Sequence, residues 1–581
     1  MKLVKKFLQE HFALVSGTMI LLLIQLTATL YIPYLVAHIV DDGILANDLN
    51  TIYSLGFEML IVAIIGVIAA VACSYYSSVM ATRFGTDLRL QVFHKVQVLS
   101  VKDVEDYGTS SLVSRITSDV VNIQQVVVML FQMILPGPLI GIVCVIMSFM
   151  ISPTLGWVAL ISILVFLGAA ILVTKLAVPY MNAIQHYLDR MILVLREFFV
   201  GVRIIRAFDN SEFERQRTDK TFEEHAENMI KINRLFAFLS PIAYALLGLS
   251  MVAILWFGLI EVPSGILQLG EVTAVIEYTT LTILTLIMAA LVIVMIPRAL
   301  AALSRVDTLL AIEPGVLDSQ TVHPLTHGSN DIVRFEHVFF GYEGEDGDAL
   351  VDVSFFVPKG QTTAIIGATG SGKSTIAKLI MRFHDATNGR ILFQDSDVQS
   401  ISQHALRDAV SYIPQKSFLF SGTVQENIKF HKPNGSNTAM RQAAQTAQAA
   451  SFIESLEKQY DAEVVRGGLN FSGGQKQRIS IARALYKDAD LYVFDDSFSA
   501  LDYKTDAVLR KALKEDMPEA TYLIIAQRVS TIMNADQIIV MDKGHVVGIG
   551  THTSLMQTSD IYRQFAQSQH IFDDMEEPLN V

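Results

Sequence analysis

The first half of the chain contains six long apolar stretches, which constrain the fold more than any other feature. They run approximately over 13–36, 55–79, 128–151, 155–178, 239–260 and 271–297. Each reaches the length of about 20 residues that an α-helix needs to cross a bilayer. A composition of 51% hydrophobic and 17% charged residues is also unusual for a soluble chain. The pattern therefore predicts a membrane domain with six spans.

The basic residues around these stretches indicate an orientation. Within 1–312 they lie near the N-terminus, in the connections 80–127 and 175–238, and at Arg298 and Arg305, and none lies in 37–54, 151–154 or 261–271. Basic residues tend to remain on the cytoplasmic side of membrane helices. Both termini are therefore predicted to be cytoplasmic. The two long connections read as helix, so the spans are predicted to continue into the cytoplasm.

The second half of the chain has a different character. Residues 313–330 have the Pro, Gly, Ser and Asn content of a linker, and from 331 onward short β-rich runs alternate with helical segments. We therefore predict an α-helical polytopic membrane domain over 1–312, with six transmembrane helices and long intracellular extensions. It is fused to an α/β domain over 331–581.

Charge and cysteine content exclude some classes of function. The formal net charge is −13, so no nucleic-acid partner is expected. Cys73 and Cys144 both fall inside apolar stretches and lack metal-ligand spacing. They are predicted to be buried small side chains rather than a disulfide or a zinc site.

A phosphate-binding loop stands at the start of the second half. The segment TTAIIGATGSGKSTIAKLI is an apolar strand, then Gly367-x-x-x-x-Gly372-Lys373-Ser374, then a helix. The glycines let backbone N–H groups turn toward phosphate oxygens, and the lysine reaches the β and γ phosphates. The Ser374 hydroxyl offers a ligand to magnesium. The α/β domain over 331–581 is therefore predicted to be an α/β P-loop nucleotide-binding domain.

Two later segments fit the same chemistry. Asp495 follows the apolar strand DLYVF, at the position where a phosphate-loop NTPase holds magnesium, commonly through water. Ser472, Gly473 and Gly474 open a predicted helix and can present N–H groups and a hydroxyl to an anion. From the residues alone this second segment is equally a capped helix start.

Taken in order, these motifs resemble those of an ATP-binding-cassette (ABC) exporter half-transporter, and the resemblance covers essentially all 581 residues. It implies that Tyr342 stacks on adenine and that Gln415, in YIPQ, is the Q-loop residue, a magnesium ligand with Ser374 and Asp495. The remaining motifs that it implies are the Walker A loop (Gly367, Ala368, Thr369, Gly370, Ser371, Gly372, Lys373, Ser374, Thr375), the signature (Phe471, Ser472, Gly473, Gly474, Gln475), the Walker B residue Asp495 and the D-loop (Ser499, Ala500, Leu501, Asp502).

The resemblance also implies a dimer that holds two ATP molecules with Mg²⁺. Each ATP lies between one chain's Walker A loop and the other chain's signature, and only the closed form supplies both walls. Two intracellular loops, YGTSSLVSRITSDVVNIQQ and GVRIIRAFDNSEFE, are similar to those that carry coupling helices in this family. The expected coupling helices lie near 117–123 and 208–214.

The chain departs from the family pattern at two positions of the same ATP site. Asp496 stands where the family usually has a catalytic Glu, and Gln527 stands where it has the switch His. A carboxylate one methylene shorter falls about 1 to 1.5 Å short of its water, which can cost roughly 100-fold in rate. Since the signature keeps its Ser-Gly-Gly-Gln core, we expect a heterodimer whose partner half-transporter carries the consensus Glu and His. A homodimer with two slow sites is the alternative.

The transported compound is not fixed by the sequence. Export of small amphipathic or drug-like compounds is the leading prediction, with a dedicated lipid or peptide exporter and a regulatory subunit that mainly binds ATP as alternatives. Three ionisable residues are candidates for substrate contact: His38 near the outer end of the first span, Glu58 early in the second and Glu277 early in the sixth. They either contact substrate or lie near the outer headgroups. The expected location is a cell membrane, most simply a bacterial inner membrane, although an organellar membrane fits as well.

Overall fold

A computed structural model of the chain divides into two compact units. One comprises Met1–Gln97 and Gly108–Ile312, and the other comprises Val98–Tyr107 and Glu313–Val581. The structure describes residues 2–569 apart from 264, 294, 319–324, 326–327 and 343–346. Part of the predicted linker, 313–330, thus lies outside the described residues.

The first unit is helical throughout its regular structure. Among the described residues, six helical runs are long and apolar enough to span a membrane. The first five each contain one of the predicted stretches in full, and the sixth, Leu269–Ala290, contains most of the predicted stretch 271–297. The predicted fold class, a helical membrane domain fused to a phosphate-loop domain, is confirmed. The helices of residues 2–311 are α1 (Lys2–Glu10), α2 (Phe12–His38), α3 (Leu49–Val98), α4 (Val101–Tyr107), α5 (Thr109–Ser114), α6 (Val120–Met129), α7 (Pro136–Ile151), α8 (Pro153–Ala207), α9 (Ser211–Ala237), α10 (Leu239–Glu261), α11 (Leu269–Ile293) and α12 (Ile296–Ala311), with π-helical turns at Ile39–Leu45, Arg115–Asp119 and Leu130–Ile134.

The last apolar stretch is shorter as a helix than predicted. The sequence predicts a span over 271–297, but α11 ends at Ile293 and Pro297 lies in the first turn of α12. Proline has no backbone N–H and its ring clashes with the residue four positions earlier, so it is tolerated at a helix start and not in a helix interior.

The first intracellular connection contains a separate short helix, but at a different position from the one expected. Residues 117–123, where the first coupling helix is expected, are helical and lie inside the run that continues from α5 into α6. The separate helix is α4. Ser100 N and Oγ both donate to Asp103 Oδ2 at its start, and Gly108, with φ +72°, ends it. This Ser-x-x-Asp pattern before a glycine was a readable signal.

The second expected coupling helix is also absent as a separate element of the described chain. α8 ends at Ala207, a turn with Asp209 at φ +51° follows, and α9 begins at Ser211. Aspartate tolerates the left-handed conformation better than most residues, which allows the chain to reverse here. The range 208–214 is therefore a turn and the first residues of α9.

One close approach fixes the start of α11 against the end of α2. Gly270 N donates to Asp41 Oδ1 at 2.6 Å. A Cβ on Gly270 would lie 2.1 Å from the Ala37 carbonyl oxygen and 2.5 Å from Asp41 Oδ2. Only glycine fits between these backbone segments without a shift.

We therefore expect Gly270→Ala to destabilise the membrane domain by about 1–3 kcal/mol, the usual cost of overpacking. Thermal unfolding of the full-length protein in detergent measures the change. Gly248→Ala is the matched control, because a Cβ there meets nothing within 4 Å among the described residues. Equal melting temperatures for the two variants would contradict the expectation.

The second unit is built on a six-stranded sheet in the order β12-β11-β3-β10-β9-β6, parallel except for β12. A four-stranded antiparallel sheet, β2-β1-β4-β5, and a two-stranded sheet, β7-β8, complete it. Its strands are β1 (Asp331–Phe340), β2 (Leu350–Pro358), β3 (Thr362–Gly367), β4 (Asn388–Phe393), β5 (Ser396–Asp397), β6 (Val410–Ile413), β7 (Gly422–Thr423), β8 (Glu463–Val464), β9 (Leu491–Asp495), β10 (Thr521–Ile525), β11 (Gln537–Asp542) and β12 (His545–Gly550).

Helices cover this sheet, and the sheet separates two hydrophobic cores. The central strands β3, β9 and β10 are apolar runs buried on both faces, as expected of a parallel sheet. The helices of the second unit after α4 are α13 (Lys373–Ile380), α14 (Gln403–Ala409), α15 (Val424–Ile428), α16 (Asn437–Thr446), α17 (Ala450–Glu454), α18 (Gly473–Leu485), α19 (Tyr503–Asp516), α20 (Val529–Ile532), α21 (His552–Thr558) and α22 (Asp560–Ser568).

Candidate active site

The strand order brings four separate segments to one edge of the sheet. β3, β10, β9 and β6 are parallel neighbours, so their carboxyl ends lie at the same edge. The phosphate loop follows β3, Asp495 ends β9, Gln527 follows β10 and Gln415 follows β6. Ligand sites of open parallel sheets lie at such an edge.

The loop after β3 has the conformation that phosphate binding requires. Gly370 and Gly372 have φ of +81° and +93°, which side chains other than glycine rarely adopt. Lys373 begins α13, and its Nζ donates to the carbonyl oxygens of Gly367 at 2.8 Å and Ala368 at 2.7 Å. Burial lowers the pKa of Lys373, although the nearby Asp496 and Asp495 carboxylates oppose this shift. The lysine is thus held inside the loop.

The two predicted magnesium ligands from Walker A and Walker B lie side by side. Ser374 Oγ donates to Asp495 Oδ1 at 2.8 Å, and the Tyr412 hydroxyl donates to Asp495 Oδ2 at 3.0 Å. A hydroxyl and a carboxylate oxygen are donors that Mg²⁺ prefers, and the ion usually takes its other ligands from phosphate and water. The residues present therefore fit a magnesium-bound nucleotide. Tyr412 was not predicted, although it stands three residues before Gln415.

Asp496 is held by the two segments on either side of it. Its Oδ2 accepts from Gln415 Nε2 at 3.0 Å and from Gln527 Nε2 at 2.9 Å. Asp496 has φ +49° and its side chain is only 7% exposed. We call this arrangement the Gln415–Asp496–Gln527 bridge. Gln415 is 81 positions from Asp496 in the sequence and Gln527 is 31 positions from it, so the motifs alone did not reveal this contact.

The pKa of Asp496 is raised above its usual value, chiefly because burial disfavours the charged form. The Asp495 charge raises it further, while the hydrogen bond from Gln415 and the charges of Lys373 and Arg528 lower it. The folded protein therefore holds this proton more tightly than the unfolded chain. Stability from this group is full below the unfolded pKa and is lost as pH rises through the raised pKa.

We consequently expect Asp496→Asn to raise the melting temperature near neutral pH, and the difference from the original protein to shrink as the pH falls. The Asn oxygen can still accept from both amides, but it carries no charge. Thermal unfolding from about pH 5 to about pH 8 measures this. Asp488→Asn, on an exposed side chain, is the control. A difference that is independent of pH would contradict the assignment.

Tyr342 lies beside the phosphate loop. Its hydroxyl is 3.2 Å from Thr375 Oγ1, and Lys378 Nζ lies 5.4 Å from the centre of its ring. The ring also meets His384 edge-on, with centroids 5.6 Å apart. Neither Lys378 nor His384 was predicted, because both lie in or after α13 without a motif of their own.

The signature residues form an exposed helix start. Ser472 caps α18 through a reciprocal pair of hydrogen bonds with Gln475, while Phe471 is buried. A Cβ on Gly473 would meet nothing within 4 Å among the described residues. None of the hydrogen bonds between described residues joins 471–475 to the phosphate loop or to the Gln415–Asp496–Gln527 bridge. This surface faces outward.

The D-loop contacts the site through Ser499, whose hydroxyl donates to the Asp496 carbonyl oxygen at 2.7 Å. Asp502 caps α19 by accepting from Thr505 N at 2.7 Å. Ala500 and Leu501 lie between them, with Leu501 buried. The described residues therefore bring together the Walker A loop, Asp495, Asp496, Gln415, Gln527, Tyr342 and Ser499.

Six membrane-spanning helices joined to a phosphate-loop domain define an ATP-binding membrane transporter, and comparisons with known proteins agree. Residues 15–289 match the ABC transporter transmembrane region and residues 350–499 match the ABC transporter domain. An ABC transporter ATP-binding protein of Mycobacterium tuberculosis is 33% identical over 98% of both chains. An ATP-dependent lipid A-core flippase of Desulfotalea psychrophila is 30% identical over 91% of this chain and 92% of that protein.

A solved structure of a bacterial Atm1-family ABC exporter with ATP bound superposes with a TM-score of 0.81 at 25% identity. The alignment covers 97% of this chain and 99% of that one. The chain belongs to the ABC transporter family. It is an exporter half-transporter, a multi-pass membrane protein whose nucleotide-binding domain binds ATP and couples its hydrolysis to transport.

Proposed function

We propose that this chain is the subunit of a heterodimeric exporter that carries the slow ATP site. Its Walker A loop, Asp495 and Gln415 hold one Mg·ATP, with Tyr342 against the adenine. Its signature completes the site on the partner, which has a catalytic Glu and a switch His. The observation that carries the proposal is the Gln415–Asp496–Gln527 bridge, which holds Asp496 through one carboxylate oxygen.

The bridge supports slow hydrolysis for a geometric reason. A carboxylate that activates the attacking water must lie within hydrogen-bond reach of that water. The side chain of Asp496 is one methylene shorter than that of glutamate, and one of its oxygens already accepts hydrogen bonds from two amides. Those amides belong to the Q-loop and to residues 527–529, which we call the switch segment, so freeing the carboxylate would break one hydrogen bond to each.

The chemistry of the Gln527 side chain also supports slow hydrolysis at this site. Its amide has two N–H hydrogens, so one can bond Asp496 while the other bonds a γ-phosphate oxygen. Unlike histidine, it carries no positive charge and exchanges no proton near neutral pH. The site is therefore suited to holding ATP rather than to turning it over.

The signature supports a role toward another chain. Ser472 and Gly473 are exposed at the N-terminus of α18, where N–H groups and the helix dipole favour an anion. Their Ser-Gly-Gly-Gln core is complete, in contrast to the two departures at this chain's own site. The partner's nucleotide would thus meet an unaltered surface.

The substrate is proposed to be a small amphipathic compound moved out of the cell across a bacterial inner membrane, with both termini in the cytoplasm. A cavity of about 450 Å³ between α2 and α7 supports this. It is lined by leucines and by the stacked rings of Tyr31 and Tyr34, 5.4 Å apart, and the Tyr31 hydroxyl donates to Glu58 at 3.0 Å. A lipid substrate is the second candidate, favoured by the similarity to a lipid A-core flippase.

The test compares this chain alone with the chain co-expressed with a second half-transporter. We expect slow ATP turnover from the chain alone, and rapid turnover together with transport into liposomes from the pair. A panel of dyes, lipids and peptides separates the candidate substrates. Rapid turnover by the solitary chain would contradict the heterodimer and support a homodimer.

A further inference from the structure

The backbone of the switch segment is hydrogen-bonded to Gln569, the residue that follows the last described helix. Gln569 follows α22, and its side-chain Oε1 accepts from Val529 N at 2.8 Å. Its Nε2 donates to the Gln527 carbonyl oxygen, also at 2.8 Å. One side chain thus satisfies a donor and an acceptor on either side of Arg528.

α22 is a firm support for this contact. Tyr562 and Ala566 are fully buried in the same hydrophobic core as Val529. The Tyr562 hydroxyl is also 2.8 Å from His552 Nδ1 on α21. Because the helix is anchored on the core that supports the switch segment, Gln569 acts as a fixed bracket.

Gln569 hydrogen-bonds the carbonyl of Gln527 and the N–H of Val529, one on each side of Arg528. Two contacts to the ATP site depend on the position of this backbone. On one side the Gln527 amide donates to Asp496 Oδ2 at 2.9 Å. On the other side Arg528 donates to the Ser499 carbonyl oxygen of the D-loop at 3.3 Å. Val529 N is a donor of the first turn of α20 without a partner inside the helix, and Arg528 makes no side-chain cap there, so Gln569 takes the part of a distant helix cap.

We propose that Gln569 is a positioning residue for the ATP site, which acts by holding Gln527 where its amide meets the γ-phosphate. This inference rests on the proposed role of Gln527. ADP lacks the γ-phosphate, so the bracket should favour ATP over ADP. A merely structural contact would affect both nucleotides alike.

The test measures the dissociation constants of ATP and ADP for the full-length chain in lipid nanodiscs. Gln569→Ala is expected to lower the preference for ATP over ADP roughly fivefold, the effect of about one net hydrogen bond, with ADP binding unchanged. Gln567→Ala, on an exposed side chain of α22, is the matched control and should behave as the original protein.

A double-mutant cycle with Gln527→Ala identifies the route. If Gln569 acts through Gln527, adding Gln569→Ala to Gln527→Ala produces no further loss of ATP preference. An unchanged preference in Gln569→Ala, or an equal loss for ATP and ADP, overturns the inference while the role of Gln527 stands. If Gln527→Ala itself keeps the full preference for ATP, the proposed role of Gln527 fails and the inference fails with it.

Discussion

Replacing Asp496 by Glu together with Gln527 by His is expected to raise ATP hydrolysis at this chain's own site by about 100-fold. The added methylene extends the carboxylate toward the attacking water, and the imidazole restores a donor that can also be charged. The change removes the Gln415–Asp496–Gln527 bridge as it stands, since both the acceptor and one donor are altered.

Single-turnover hydrolysis by the assembled transporter measures this gain. The single variant Asp496→Glu is expected to give part of it, because Gln527 can still donate to the phosphate. Asp496→Asn is the matched control, since it keeps the size of the side chain and cannot act as a base. Unchanged hydrolysis in the double variant, with ATP binding intact, would show that something other than these two residues limits the site.

Gly473→Ala is expected to lower ATP turnover of the assembled transporter by tenfold or more, up to about 100-fold for a misplaced nucleotide. Within this chain the new Cβ meets nothing within 4 Å among the described residues. Alanine is also favoured over glycine in a helix by about 1 kcal/mol, so the fold should not suffer. A loss must then come from a group that another molecule brings to this surface.

Two measurements make this outcome specific. ATP affinity at the chain's own Walker A loop should be unchanged, because that loop shares no hydrogen bond with the signature among the described residues. Thr438→Ala, an exposed substitution in the first turn of α16, should leave turnover unchanged. Full turnover in Gly473→Ala would contradict the proposal that this chain's signature completes the partner's ATP site.

Much of the architecture could be predicted because it depends on local patterns. The six spans follow from the length of each apolar stretch, and the phosphate loop follows from a short motif between a strand and a helix. The coupling helix expected near 117–123 follows a family pattern, and those residues are part of a longer helical run. The separate short helix lies earlier, between the local cap at Ser100 and the glycine at position 108.

The contacts that distinguish this ATP site could not be predicted, because they join residues remote in sequence. Gln415 meets Asp496 only because β6 and β9 are neighbours, and Gln527 meets it only because β10 lies beside β9. Gln569 reaches the backbone at Gln527 across 42 residues and depends on how α22 packs. A motif indicates the chemistry of one segment, whereas the order of the strands in the sheet determines which segments meet in one site.

The most direct test of unequal sites is a rapid-quench measurement on the assembled transporter loaded with radiolabelled ATP and mixed with magnesium. We expect about half of the bound ATP to be hydrolysed quickly and the other half to remain intact at this chain's site for many turnovers, a difference of about 100-fold in rate. Hydrolysis of all the bound ATP in one phase, at a single rate, would contradict the proposal that the two ATP sites are unequal.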